Sequence, residues 1–122
     1  MYIRPQVKVK ALGLGGDPTF EAGSSHTASA QLTNPTTKSF TYSVELYLGA
    51  AKVATSGVGS VTIGPGASAT MNFPIVTPSA EGTYEVYLDV KVGTELVAHY
   101  KAIENVSIVV TPKIVVGPIT WV

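Results

Sequence analysis

The sequence predicts an all-β domain, an antiparallel two-sheet sandwich of seven to nine strands. Three observations lead there. Apolar and polar residues alternate over short runs, the period of a half-buried strand. Turn residues interrupt the chain roughly every ten positions. No stretch carries a helical period for more than a turn. The clearest alternation runs over residues 81–92, with Tyr84, Val86, Leu88, Val90 and Val92 on one face and Glu85, Tyr87, Asp89 and Lys91 on the other. The remaining strands are read as assembled around it.

Composition narrows the setting. A chain of 122 residues is the size of one domain, and 45% hydrophobic content can supply its core. Only 13% of residues are charged, with eight basic residues against eight acidic. No basic stripe is available to displace counterions, so nucleic acid is not an expected partner. No apolar run is long enough to span a bilayer. Without cysteine the fold must hold without disulfides or thiolate metal sites. Residues 1–5 contain no apolar signal core. The chain is therefore read either as an internal protein of a cell or virion or as a segment of a longer exported chain.

In chain order, residues 6–11 form a first strand with Val7, Val9 and Ala11 inward, and residues 13–18 a glycine-rich turn. Residues 19–24 lead through Ala22-Gly23-Ser24, a turn, into a strand over 26–33. Its inward residues Ala28, Ala30 and Leu32 are mostly small, so a bulky neighbour is expected to fill the space across the core. Asn34-Pro35 turns the chain. Phe40, Tyr42, Val44, Leu46 and Leu48 form the inward face of the next strand. Residues 52–55 read as a short edge strand blunted by Lys52, and 58–63 as a weaker segment. Gly64-Pro65-Gly66 is the strongest turn signal. Residues 67–73 form a further strand, and Pro74 and Pro78 frame the connection to residue 81. A three-residue loop over Gly93-Thr94-Glu95 pairs Val92 with Leu96, Val90 with Ala98 and Leu88 with Tyr100. The last strand continues towards Val110, with a break near Glu104-Asn105, where Glu104 interrupts the apolar parity.

At Gly82, Tyr84 and Val86 the chain resembles an immunoglobulin-like domain. The resemblance implies a corner in which the Tyr84 hydroxyl bonds upstream backbone, with Val86 where antibody domains carry a cysteine and Ala28 or Ala30 opposite. The central tryptophan of those domains is replaced by Tyr42 or Val44. The order of segments at 29–34, 44–49, 63–70 and 82–84 is similar to fibronectin type III-like and bacterial cell-adhesion-related modules, over about residues 20–110. The resemblance implies an immunoglobulin-like sandwich over residues 1–111 and the role of a spacer, adhesin or accessory module. It carries no catalytic residue.

Residues 112–122 form an apolar tail read as a last strand, a linker or an exchanged strand. Its candidate assembly residues are Ile114, Val115, Val116, Ile119 and Trp121. Glu45, Tyr47, Glu85, Tyr87, Asp89 and His99 fall on one outer sheet face. Tyrosines beside carboxylates can hold a sugar ring, or they can form a cross-strand aromatic pair. The histidines His26 and His99 show no nucleophile-elbow spacing, Asp17, Glu21 and Asp89 form no calcium-loop ladder, and Gly13, Gly15 and Gly16 precede no helix. The expectation is a non-enzymatic structural or interaction module of a prokaryotic cell surface, extracellular space or virion, needing no cofactor. Its expected partners are further copies of itself, adjacent domains of a longer chain or, as the alternative, a glycan.

Overall fold

The computed structural model describes residues 3–11, 17–111, 117–119 and 121. Eight strands follow one another: β1 (Lys8–Ala11), β2 (Thr19–Glu21), β3 (Ser25–Thr33), β4 (Phe40–Leu48), β5 (Ala54–Ile63), β6 (Ser68–Val76), β7 (Gly82–Val92) and β8 (Glu95–Val109). They form a three-stranded sheet, β1-β3-β6, and a five-stranded sheet, β2-β8-β7-β4-β5. Among the described residues no helix is long and apolar enough to cross a membrane.

The alternation seen in the sequence becomes the core. Tyr42, Val44, Leu46 and Leu48 of β4 and Leu88 and Val90 of β7 face Ala30 and Leu32 of β3 and Phe73 and Ile75 of β6. Leu32, Tyr42, Val44 and Val90 are fully enclosed. Tyr42 brings a hydroxyl into this apolar layer and donates it to the Gln6 carbonyl oxygen at 2.7 Å, which satisfies the group. Burial raises its pKa.

Several expectations are corrected. The sandwich is not wholly antiparallel, because residues 19–21 form a strand that runs parallel to β8, Thr19 beside Ser107 and Glu21 beside Val109. Three residues are too few for alternation to reveal. Residues 52–63 are not two segments: Lys52 sits in the turn at positive φ, and β5 is continuous from Ala54. A bulge at Ser56-Gly57, opposite Leu46, reverses the inward parity midway and hides the strand's continuity. The Ser56 hydroxyl oxygen accepts the Leu46 N–H at 3.1 Å. Strand β6 runs past Pro74 to Val76, which its position at the sheet edge permits.

The β7–β8 hairpin corrects the expected loop and explains its register. Val92 pairs with Glu95, not Leu96, leaving the two-residue loop Gly93-Thr94. Gly93 takes positive φ, as the first central position of a type II′ turn requires. A bulge at Val97 then restores the expected pairs Val90 with Ala98 and Leu88 with Tyr100. Leu96 is consequently turned outward and is 51% exposed. A second bulge sets Ala102, Ile103 and Glu104 opposite Val86, where the sequence breaks its apolar pattern.

Two polar features tie the turns to the core. The buried Asn34 amide donates to the carbonyls of Ile63 (2.9 Å) and Lys38 (2.7 Å) and accepts the N–H of Thr36 at 3.0 Å. Its own backbone closes on the Gly64-Pro65-Gly66 turn through Gly66 and Ala67. Tyr84 donates its hydroxyl to the Ala80 carbonyl oxygen at 2.8 Å, forming the expected corner. Asn34→Ala is expected to cost about 3 kcal/mol, since it strands buried carbonyls, and Tyr84→Phe about 1 kcal/mol, since its bond is exposed. Urea titration of both variants measures the contrast, and equal losses would contradict it.

Candidate functional site

The outer face of the larger sheet is assembled by register. Tyr47 lies directly opposite Tyr87, Glu45 opposite Asp89, and Asp89 opposite His99. All six residues expected to share this face do so, because odd positions of β4 and β7 point outward together. The rings form a continuous row: Tyr47 and Tyr87 stack at 5.4 Å between centroids, and Tyr87 and His99 at 5.2 Å. The far side of Tyr47 is covered by the Lys52 ammonium, 4.7 Å from the ring centre. Tyr47 is therefore only 4% exposed although it points away from the core.

Charge is paired along the row. Asp89 accepts the Tyr47 hydroxyl at 3.1 Å and contacts His99 Nδ1 at 2.5 Å. Glu45 receives Lys52 Nζ at 2.7 Å and the Thr55 hydroxyl at 2.6 Å. Glu85 accepts the Tyr87 hydroxyl and lies 3.4 Å from Lys101. The bonds from Lys52 and Thr55 lower the Glu45 pKa, and the bonds from Tyr87 and Lys101 lower that of Glu85. Burial, then the bond to Asp89, raises Tyr47, while the bond to Glu85 raises Tyr87. The sequence alone does not place Lys52, Thr55 and Lys101 on this face. Lys52 and Thr55 lie across a bulge that alternation does not register, and Lys101 lies on a strand whose register depends on another.

A second feature lies between the sheets. Opposite the small β3 residues Ala28 and Ala30 is a partly open cavity of about 300 Å³. Leu46, Leu48, Val86, Leu88, Tyr100 and Val106 form its far wall. The bulky filler expected across from these alanines is missing among the described residues. Sealed and dry, a void of this size would cost about 7 kcal/mol at ~24 cal/mol per Å³. That approaches the whole stability of a small domain.

Ser24 and His26 meet beside this cavity, the serine hydroxyl 2.7 Å from His26 Nε2. The same hydroxyl lies 2.5 Å from the Glu21 carbonyl, which can only accept. The serine proton is therefore committed to Glu21, and His26 Nε2 donates to serine rather than drawing its proton away. Phe20 stacks on the imidazole, and buried Thr77 donates to the same carbonyl at 2.7 Å. These groups hold a corner together. Among the described residues no cluster of three His, Asp or Glu side chains could hold a metal ion.

In the tail, Ile119 is 84% and Trp121 96% exposed. Ile114, Val115 and Val116 lie outside the described residues, as do the glycines Gly13, Gly15 and Gly16.

No family model matches the sequence. No curated protein matches it either. Among solved structures, the chain is similar to the CARDB domain of the PF1109 protein from Pyrococcus furiosus, crystallised with di-metal ions. The TM-score is 0.61 at 17% identity, over 88% of this chain and 94% of that one. The solution structure of the same domain gives 0.61 at 19% identity, over 88% and 97%. A β-glucosidase from Listeria innocua in complex with glucose matches at TM-score 0.60 and 14% identity, over 85% of this chain but 16% of the enzyme. The fold is an immunoglobulin-like sandwich. At these identities the likeness reaches no further than the fold.

Glu45 gives up its proton more readily in the folded chain than in the unfolded one. Its contribution is complete above the ordinary carboxyl value of 4.5 and is lost as pH falls through the lower folded value. Thermal melts across the acid range are expected to lose stability less steeply in Glu45→Gln than in the parent. Parallel curves would contradict the pairing.

Proposed function

We propose that this chain is a non-enzymatic structural and interaction module of a prokaryotic cell-surface, extracellular or virion assembly. In this reading it is of the fibronectin type III-like and cell-adhesion-related kind. The supporting observation is the outer edge of β8. Strand β2 covers that edge only at residues 107–109, and among the described residues no strand pairs with 98–104 on the side away from β7. Such an edge can accept an added strand through main-chain hydrogen bonds. Lys101 and the bulge discourage casual pairing, while the exposed Ile103 offers a partner apolar surface to bury.

A second reading, self-assembly, is favoured by the exposure of Ile119 and Trp121 in the same chain. An apolar segment and a free edge are complementary halves of a head-to-tail contact, which need not close. For the glycan alternative, the outer tyrosines are an indifferent platform: Tyr47 has both ring faces covered, by Tyr87 and Lys52.

Light scattering over a concentration series separates these readings. Self-assembly predicts that the mass of the full chain rises with concentration. A chain ending at Val110 would stay monomeric with unchanged β-type circular dichroism, and Ile103→Lys would weaken the association of the full chain. A concentration-independent monomer overturns self-assembly and leaves a heterologous partner or a neighbouring domain as the occupant of the β8 edge. Association unchanged by Ile103→Lys would move the contact away from that edge.

A further inference from the structure

We propose that the cavity between the sheets is a binding site for a small amphiphile with an apolar body and a cationic, amine-type head, the body held between β3 and β7–β8 and the head beside Glu104. The cavity volume of about 300 Å³ is at the lower end of natural small-molecule sites. It is roughly twice the ~150 Å³ of an apolar cavity that stays dry and binds benzene. An aromatic ring or an alkyl chain of about six carbons fits such a space.

Most of the wall is apolar and holds water poorly. A confined water needs two to four polar partners. Ala28, Ala30, Leu46, Leu48, Val86 and Leu88 offer side chains with none. His26 and Thr77, which also line the space, already have Ser24 and Glu21 as partners. Strand β1 pairs with β3 from Lys8 to Ala11, with Ala11 opposite Ala30, and among the described residues no strand pairs with 25–29 on that side of β3.

Glu104 supplies the polarity of the head. It occupies the inward parity of β8, where every other described residue from Ala98 to Ile108 is uncharged, and it lines the cavity. Among the described residues it makes no side-chain hydrogen bond and no ion pair. A carboxylate beside an apolar space favours a positive head and repels a negative one. The bulge over residues 102–104 places it there, and an unbroken strand would have no room for the extra residues.

Hexylammonium, hexanol and hexanoate share one apolar body and differ in the head, so they serve as probes for the full chain. Methyl-resolved NMR titration is expected to show saturable shifts at Leu46, Leu48, Val86 and Leu88 with hexylammonium. Hexanoate should bind on the order of tenfold more weakly and hexanol in between. Glu104→Gln should erase the order of the heads while keeping hexanol binding. Ala28→Leu should fill the space, raise the melting temperature and abolish the shifts. Nuclear Overhauser contacts from the probe to Leu88 and Val106 methyls in the parent chain test the site without any variant. Absence of saturable shifts with all three probes overturns the site. Shifts that persist in a folded Ala28→Leu variant also overturn it. Equal affinity for amine and carboxylate in the parent overturns the role of Glu104.

Discussion

The structure depends on the shared side-chain parity of β4, β7 and β8. Their pairing puts Val44 against Val90 and Leu46 against Leu88, with Leu88 in turn against Tyr100, all facing the smaller sheet. A one-residue slip anywhere would send these side chains into water and bring Glu45, Asp89 and Lys101 inside. Burying an unpaired charge is prohibitive, so a single register survives. Both the outer row of rings and the inner cavity are consequences of that register. The row exists because odd positions stack outward, and the cavity lies where even positions meet the small Ala28 and Ala30 of β3.

The core tolerates the cavity because its other end is tightly closed. Leu32, Tyr42, Val44 and Val90 are fully enclosed, and the Asn34 amide locks the turns beside them. The gap lies towards the Ser25 end of β3, near the position where antibody domains carry a cysteine and this chain has Val86. This chain has no disulfide to span the sheets there.

Much of this was legible in the sequence, and the parts that were not share a cause. Alternation marks β4 over its full length and β7 almost so, and the spacing of Gly82, Tyr84 and Val86 marks the Tyr84 corner, because long alternation and fixed spacing are local signals. The six residues of the outer face follow from the same parity. Period-two reading fails where a bulge resets it, and so it split β5 at Gly57 and paired Val92 with Leu96. It also fails for β2, whose three residues are held by a distant strand. The cavity could be half anticipated. Small residues at Ala28 and Ala30 announced a space, but only the folded register tells whether a neighbour reaches into it.

The two bulges of β8 differ in one respect. The first, at Val97, adds one residue and exchanges the two faces of the strand; the second, over residues 102–104, adds two and leaves them as they were. Length changes in this strand therefore act like reading-frame changes in a coding sequence. Removing one residue between Lys101 and Asn105 would turn Val106 and Ile108 out of the core. Removing two would straighten the strand and keep Val106 and Ile108 facing inward. That segment can change its length by two residues without disturbing the core beyond it.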